Sequence, residues 1–282
     1  MQVLIDGLLN GLLYALVAVG LSMIWGVMDV INFAHGEFLM VAMYICYWIG
    51  AVLGIDPLFS WAAAVIFLFI LGSVTYRLII KNSLGKAAMA PLLATFGLSM
   101  LLKNLCMNRF TPNFRLLTNT IMSGKTFTVG GAIVPLPQFV TAIFALFIVL
   151  AVYCLIKKTR LGWAIQATAM DKEAAELMGI DTERIYLLVF GLGGACVGAA
   201  GGMMTTYLAV HPEVGGLFSL IAFVVVALGG FGSISGALLA ALLIGLVESF
   251  AGFYIAAVVK YVAVFGIYLV VIMVRPKGLF GW

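Results

Sequence analysis

The sequence predicts an all-α, polytopic membrane protein of about eight to nine transmembrane or re-entrant helices. Three observations carry that class. Hydrophobic residues make up 65% of the 282 and charged residues only 9%, where an average soluble domain carries about 25% charged. Mean hydropathy is +1.21. The apolar residues fall in runs of roughly 20, the length that crosses a bilayer core, and turn residues and charges are confined to the intervals between them. Residues 1–282 therefore read as a single transmembrane domain, with no room for an ATPase or a large soluble ligand-binding domain.

The opening MQVLIDGLLNGLL has no basic segment and no small-residue cleavage site, so it is expected to begin the first span, 3–28, and not to be a removed signal. Gly7, Gly11 and Gly20 give that span small surfaces for close helix approach. The pattern then breaks at MDVINFAHGEF, which places Asp29, Asn32, His35 and Glu37 at a helix junction. Polar groups beside hydrocarbon are costly and must face protein, water or the membrane surface. Span two runs to about Gly54 and span three covers about 58–80. Span four, about 88–107, contains ATFGLS, whose Thr95 and Gly97 suit either helix packing or a substrate path.

Residues 108–135 form a polar stretch with turn punctuation, and span five covers about 136–156. Span six, about 185–209, holds GLGGACVGAAGG, a composition that predicts a close helix crossing. The apolar run 217–228 is too short to cross at 1.5 Å per residue, and GGFGSISG follows before the run 237–256. A broken or re-entrant element is expected there, and a last span at about 257–274. Cys46, Cys106, Cys154 and Cys196 lie in or beside apolar segments without CxxC spacing and read as packing residues.

Basic residues set the orientation, because loops retained in the cytoplasm carry an excess of Lys and Arg. Arg77, Lys81, Lys86, Lys157, Lys158, Arg160, Lys172, Arg184, Arg275 and Lys277 are ten of the 15 basic residues, and all fall in intervals expected on one side. Residues 77–86, 157–184 and 275–282 are thus expected inside and the N-terminus outside. The island 157–184 is the longest polar segment. Asp171 is placed to cap a short helix, Glu173 lies in its first turn, and Gly179 gives its stop. Ala174, Leu177 and Met178, at i, i+3 and i+4, make an apolar stripe that suits a groove on a partner protein or an ordinary surface helix.

No GxxxxGK[ST] loop occurs, and Ser233 and Ser235 have no histidine after them that would make a serine hydrolase. His35 and Glu37 are too close in sequence to share a helix face and have no third ligand nearby, so no metal site is read there. Asn32, His35 and Glu37 read either as a cap on span two or as groups that meet substrate. The two breaks, Asn32–Glu37 and Gly229–Gly236 with Gly230, Gly232, Ser233 and Ser235, occupy loosely corresponding positions, as broken helices do at transport sites. Glu248, an acid within a span, needs a partner, a hydrated cavity or a place near the surface.

The segments MDVINFAHGEFLM, ATFGLSMLLKN, DKEAAELMGI, VVVALGGFGSISGALLAALLIGLVES and RPKGLFG, in that order, resemble the membrane permeases of branched-chain amino acid ABC transporters, specifically the shorter of the two. The resemblance implies a coupling helix at DKEAAELMGI, matched by Glu173, Ala174, Ala175 and Gly179, that inserts into an ATPase subunit. Trp163 and Gln166 stand where many relatives carry arginine. It implies a second homologous permease, two cytoplasmic ATPases that hold the ATP and Mg²⁺, and an extracytoplasmic solute-binding protein, in a bacterial inner membrane. Contact with lipid is implied, with nucleic acid not. Similar permeases move leucine, isoleucine and valine, or urea and short amides. An ion-coupled carrier is the alternative from another class, with Glu248 as its one fair coupling acid, and a membrane enzyme lacks a nucleophile and base.

Overall fold

The computed structural model describes every residue except 88, 119, 276, 277, 281 and 282; the expectation for Lys277 lies outside the described residues. Its helices are α1 (Gln2–Met28), α2 (His35–Leu53), α3 (Pro57–Thr75), the short α4 (Lys81–Ser83) reached through a π-helical turn at Tyr76–Ile80, and α5 (Ala90–Phe110). A hairpin, β1 (Thr126–Val129) and β2 (Ala132–Pro135), precedes α6 (Leu136–Lys158), α7 (Arg160–Met170) and α8 (Lys172–Leu177). The chain ends with α9 (Thr182–Met204), α10 (Val214–Gly229), α11 (Ile234–Tyr254) and α12 (Lys260–Val274). Among the described residues, seven helical stretches are long and apolar enough to cross a membrane, and α10 and α12 are shorter apolar helices.

Small residues set the core. A Cβ added to Gly7 or Gly11 of α1 would lie 2.9 or 2.8 Å from the backbone of α11, so these two antiparallel helices touch main chain to main chain. On α9, the same test places Gly194 2.4 Å from Leu68 O and Gly198 3.0 Å from Ala64 O of α3. Gly193 and Gly201 of α9 meet α1 and α2. The glycine-rich run in span six is therefore a three-way packing surface, as its composition predicts. α1 and α9 are the most buried long helices, while α5 buries only Thr95 and Cys106 and α12 only Val264.

The two ends of the molecule differ. At one, Lys81 pairs with Glu183, Leu279 N–H donates to Leu228 O at 2.8 Å, and Lys157 shares a cavity wall with Ser233, so the basic segments 77–86 and 157–184 gather with the C-terminal residues. We call this the basic end. At the other, the β1–β2 hairpin takes up the N-terminus: the Gln2 side chain donates to Ile133 O at 2.9 Å and accepts from Ile133 N–H at 2.8 Å.

Three expectations change. The polar stretch 108–135 contains an antiparallel β-ribbon as well as turns. Span six ends at Met204; Thr205 and Thr206 turn their hydroxyls back to Gly201 O and Met203 O, and Val210 bridges to Arg115. The third concerns 217–236, where the helix begins before Leu217 and the break falls between Gly229 and Ile234. Gly215 and Gly216 are helical, so α10 is a continuous 16-residue helix, about 24 Å long at 1.5 Å per residue, and Gly229–Gly236 forms a tight turn into antiparallel α11. Gly230 and Gly232 supply the positive φ values of 91° and 79° that this turn requires.

Candidate functional site

The first polar junction lies at depth. His35 Nε2 is 2.9 Å from Val17 O, and Val17 precedes the end of α1 by eleven residues, about 16 Å of helix. Residues 29–34 therefore fold back along α1, and α2 starts beside its middle. Irregular backbone there needs internal partners, and each comes from a different element. Phe33 N–H donates to Thr95 Oγ1 of α5 at 3.2 Å, and that hydroxyl donates to Ile31 O at 3.1 Å. Ala34 N–H donates to Asn32 Oδ1 at 3.1 Å, and Gly36 N–H to Ser219 Oγ of α10 at 2.8 Å.

Of the three residues read as a cap or as a substrate contact, none is a side-chain cap on α2, and Asn32 bonds the Ala34 amide ahead of the helix. His35 reaches across to α1, and the Glu37 carboxyl meets its own amide and the Ser99 hydroxyl of α5. Asn32 Nδ2, His35 Nδ1 and Glu37 Oε2 are buried atoms with no hydrogen-bond partner among the described residues. Gly97 faces open space, so it does not serve packing within this chain. Ser99 and Lys103 of α5 face Glu37, and Lys103 Nζ lies 3.0 Å from Glu213 Oε1, before α10. That pairing holds the exposed Glu213 carboxyl below its ordinary range. The sequence reading holds Ser99 only as the second hydroxyl of ATFGLS and leaves out Lys103 and Glu213 as site residues, although Thr95, Ser99 and Lys103 recur at i, i+4 and i+8 along one face of α5.

The second break, Gly229–Gly236, lies elsewhere. Phe231 stacks on Trp25 with ring centroids 4.3 Å apart, and Gly232 packs on Gly26, near the end of α1. Ser233 caps α11 by accepting from Gly236 N–H at 3.1 Å. The two breaks thus form separate sites, one at depth and one at the basic end. A cavity of about 730 Å³ there is lined by Trp25, Asp29, Lys157, Gln166, Met170 and Ser235 among others. Glu248 is buried and paired: its carboxylate accepts from Lys260 Nζ at 2.7 Å and from the Tyr14 hydroxyl at 2.5 Å.

The island folds as its caps predict. Asp171 Oδ1 accepts from Ala174 N–H at 3.0 Å, Glu173 lies in the first turn, and Gly179 has φ 83°. α7, not anticipated as a separate helix, is fastened to α6 by Gln166 Nε2, which donates to Ile156 O at 2.6 Å, while Trp163 is exposed. Leu177 and Met178 are 89% and 84% exposed. Ala175 is 4% exposed and packs inward, so it does not belong to the surface that α8 offers a partner.

Packed apolar helices, a chain reversal at mid-depth satisfied by polar side chains, and a capped apolar tip standing off one end define a multi-pass membrane permease. The family model described as branched-chain amino acid transport system / permease component matches residues 3–274, and the chain belongs to that family. It is 31% identical over 296 residues to the high-affinity branched-chain amino acid transport system permease protein BraD of Pseudomonas aeruginosa, covering 100% of this chain and 95% of that one. It is 30% identical over 298 residues to the permease protein LivH of Escherichia coli, with the same coverage. PsaBC from Streptococcus pneumoniae in complex with Fab shares the fold, with a TM-score of 0.56 at 14% identity over 98% of this chain and 93% of that one. The chain is a transport subunit of an ABC importer complex and not an enzyme.

Proposed function

We propose that this chain forms one half of the transmembrane pathway of an ATP-driven importer of branched-chain amino acids in a bacterial inner membrane. It works beside a second, homologous permease, two cytoplasmic ATPases that carry ATP and Mg²⁺, and an extracytoplasmic solute-binding protein. Full-length similarity to BraD and LivH supports the substrate class. The observation that carries coupling is the tip of α8. A six-residue helix is too short to be stable alone, yet Asp171 caps it and Thr182 of α9 donates to Glu176 Oε1, so exposed Leu177 and Met178 are held rigid. Rigid exposed apolar side chains at the basic end suit a groove on an ATPase.

The α7–α8 loop leads inward. α7 walls the basic-end cavity opposite the α10–α11 turn, and the far end of α10 packs on Gly36 beside the mid-depth junction. Closure of the ATPase pair on ATP moves α8, and the displacement reaches α10, which biases the pathway between outward and inward access. Reconstitution with the partner subunits in proteoliposomes tests the reading. ATP-dependent uptake of leucine, isoleucine and valine is expected; uptake of urea or short amides in their place would refute the substrate class.

A further inference from the structure

We propose that Glu37, Lys103 and Glu213 form a charge-exchange site that receives the ammonium and carboxylate of a zwitterionic amino acid; this rests on the importer function above. α5 is an apolar helix with one polar stripe, and the stripe turns inward. Thr95 holds the reversed segment 29–34, Ser99 and Lys103 face Glu37 of α2, and Lys103 Nζ reaches Glu213 Oε1 at 3.0 Å. Lys103 is thus ion-paired with Glu213 and also acts on Glu37 through its charge. Glu37 is 6% exposed and its Oε2 has no donor.

An amino acid supplies the cation that Glu37 lacks and competes with Glu213 for Lys103. Its ammonium donates to Glu37 Oε2, and its carboxylate takes Lys103 from Glu213. The buried Glu37 gains a partner and Lys103 exchanges one carboxylate for another, while Glu213, with its side chain 66% exposed, is left to water; this matters because an unpaired charge is costly only once removed from water. Farther along the stripe, Phe33 packs on Phe223 and Phe96 with centroids 5.2 and 6.2 Å away, an aromatic wall suited to an apolar side chain. The exchange has a mechanical consequence. Glu213 directly precedes α10, whose Gly215 packs backbone to backbone on Gly36, so freeing Glu213 releases the end of the helix that closes over the junction.

The test uses the complete reconstituted transporter and radiolabelled leucine. Glu37→Gln and Lys103→Met are expected to lower initial uptake about tenfold or more, the loss that follows when a charge-assisted hydrogen bond is removed. Lys103→Arg keeps the charge and should retain most uptake, which separates lost charge from misfolding if Lys103→Met assembles poorly. The decisive variant exchanges the pair, Lys103→Glu with Glu213→Lys. It restores an ion pair but presents a carboxylate to the substrate carboxylate, so assembled complex should recover while uptake stays low. Uptake by the exchanged pair close to that of the unaltered transporter would reduce Lys103 to a structural latch and overturn the proposal, as would normal uptake by Lys103→Met. Unaltered transporter that carries urea and not leucine removes the importer reading itself, a result independent of any variant.

Discussion

Glu248 Oε1 lies 2.7 Å from Lys260 Nζ, and the other carboxylate oxygen accepts the Tyr14 hydroxyl, so one buried acid joins α11, α12 and α1. α12 has little else to hold it, since Val264 is its one fully buried residue among those described. Removing one partner of a buried ion pair costs about 3–5 kcal/mol. Lys260 is 32% exposed on its side chain, which places Lys260→Met near about 3 kcal/mol; Tyr14→Phe should cost about 1–3 kcal/mol. Thermal unfolding of the purified protein should rank Lys260→Met below Tyr14→Phe and both below the unaltered chain. An unchanged transition for Lys260→Met would show that α12 is held by other means.

The Gly36–Gly215 contact should tolerate no methyl group. A Cβ on Gly36 would lie 2.0 Å from Gly215 O, and one on Gly215 2.4 Å from Gly36 O, with backbone on both sides. Overpacking of this kind costs typically about 1–3 kcal/mol and can exceed that where the backbone cannot yield. Gly97 and Gly216 face open space. Yields of folded protein should fall for Gly36→Ala and Gly215→Ala and hold for Gly97→Ala and Gly216→Ala; equal yields across the four would contradict the geometry.

Substitutions in α8 should divide by exposure. Ala175 is buried, so Ala175→Arg forces a charge into the chain's own interior and should reduce the amount of folded subunit. Leu177→Asp and Met178→Asp alter side chains that are almost wholly exposed and should leave the chain folded. Pull-down of the ATPase subunits measures the difference: the exposed pair should lose binding with normal permease yield. Retained binding by both aspartate variants would remove α8 from the coupling contact.

The helices and caps were legible because they depend on local signals: apolar runs of span length, Asp171 followed by a carboxylate, and glycine after the last turn. Depth was not. GGFGSISG and INFAHGEF interrupt apolar runs in the same manner, yet one is a turn at the basic end and the other a reversal at mid-membrane. What separates them is contact with Val17, Thr95 and Ser219, residues distant in sequence. α10 reads as short when its apolar run is counted from Leu217, while Gly215 and Gly216 extend the helix, and at Gly215 a close crossing with α2 outweighs its poor helix propensity. Lys103, Glu213 and Lys260 read as stray charges until their partners came from other helices.

The remaining prediction concerns which end faces the cytoplasm. Arg77, Lys81, Lys157, Lys158, Arg160, Lys172 and Arg184 belong to the basic end, whereas Arg109, Arg115 and Lys125 lie toward the hairpin. Arg115 is already engaged: its Nη2 donates to Phe110 O at 2.6 Å, and its guanidinium lies 5.4 Å from the Trp48 ring centroid. The asymmetry in basic residues therefore still favours the 157–184 end as the cytoplasmic one. Single cysteines test it, in a background from which the exposed Cys154 and the buried Cys46, Cys106 and Cys196 have been removed. Thr128→Cys on β1 and Lys172→Cys on α8 are both exposed positions at opposite ends. A membrane-impermeant maleimide should label position 128 in intact cells and position 172 only after permeabilisation. Labelling of 172 from outside would invert the chain, detach α8 from any cytoplasmic ATPase, and leave its apolar tip to an extracytoplasmic partner.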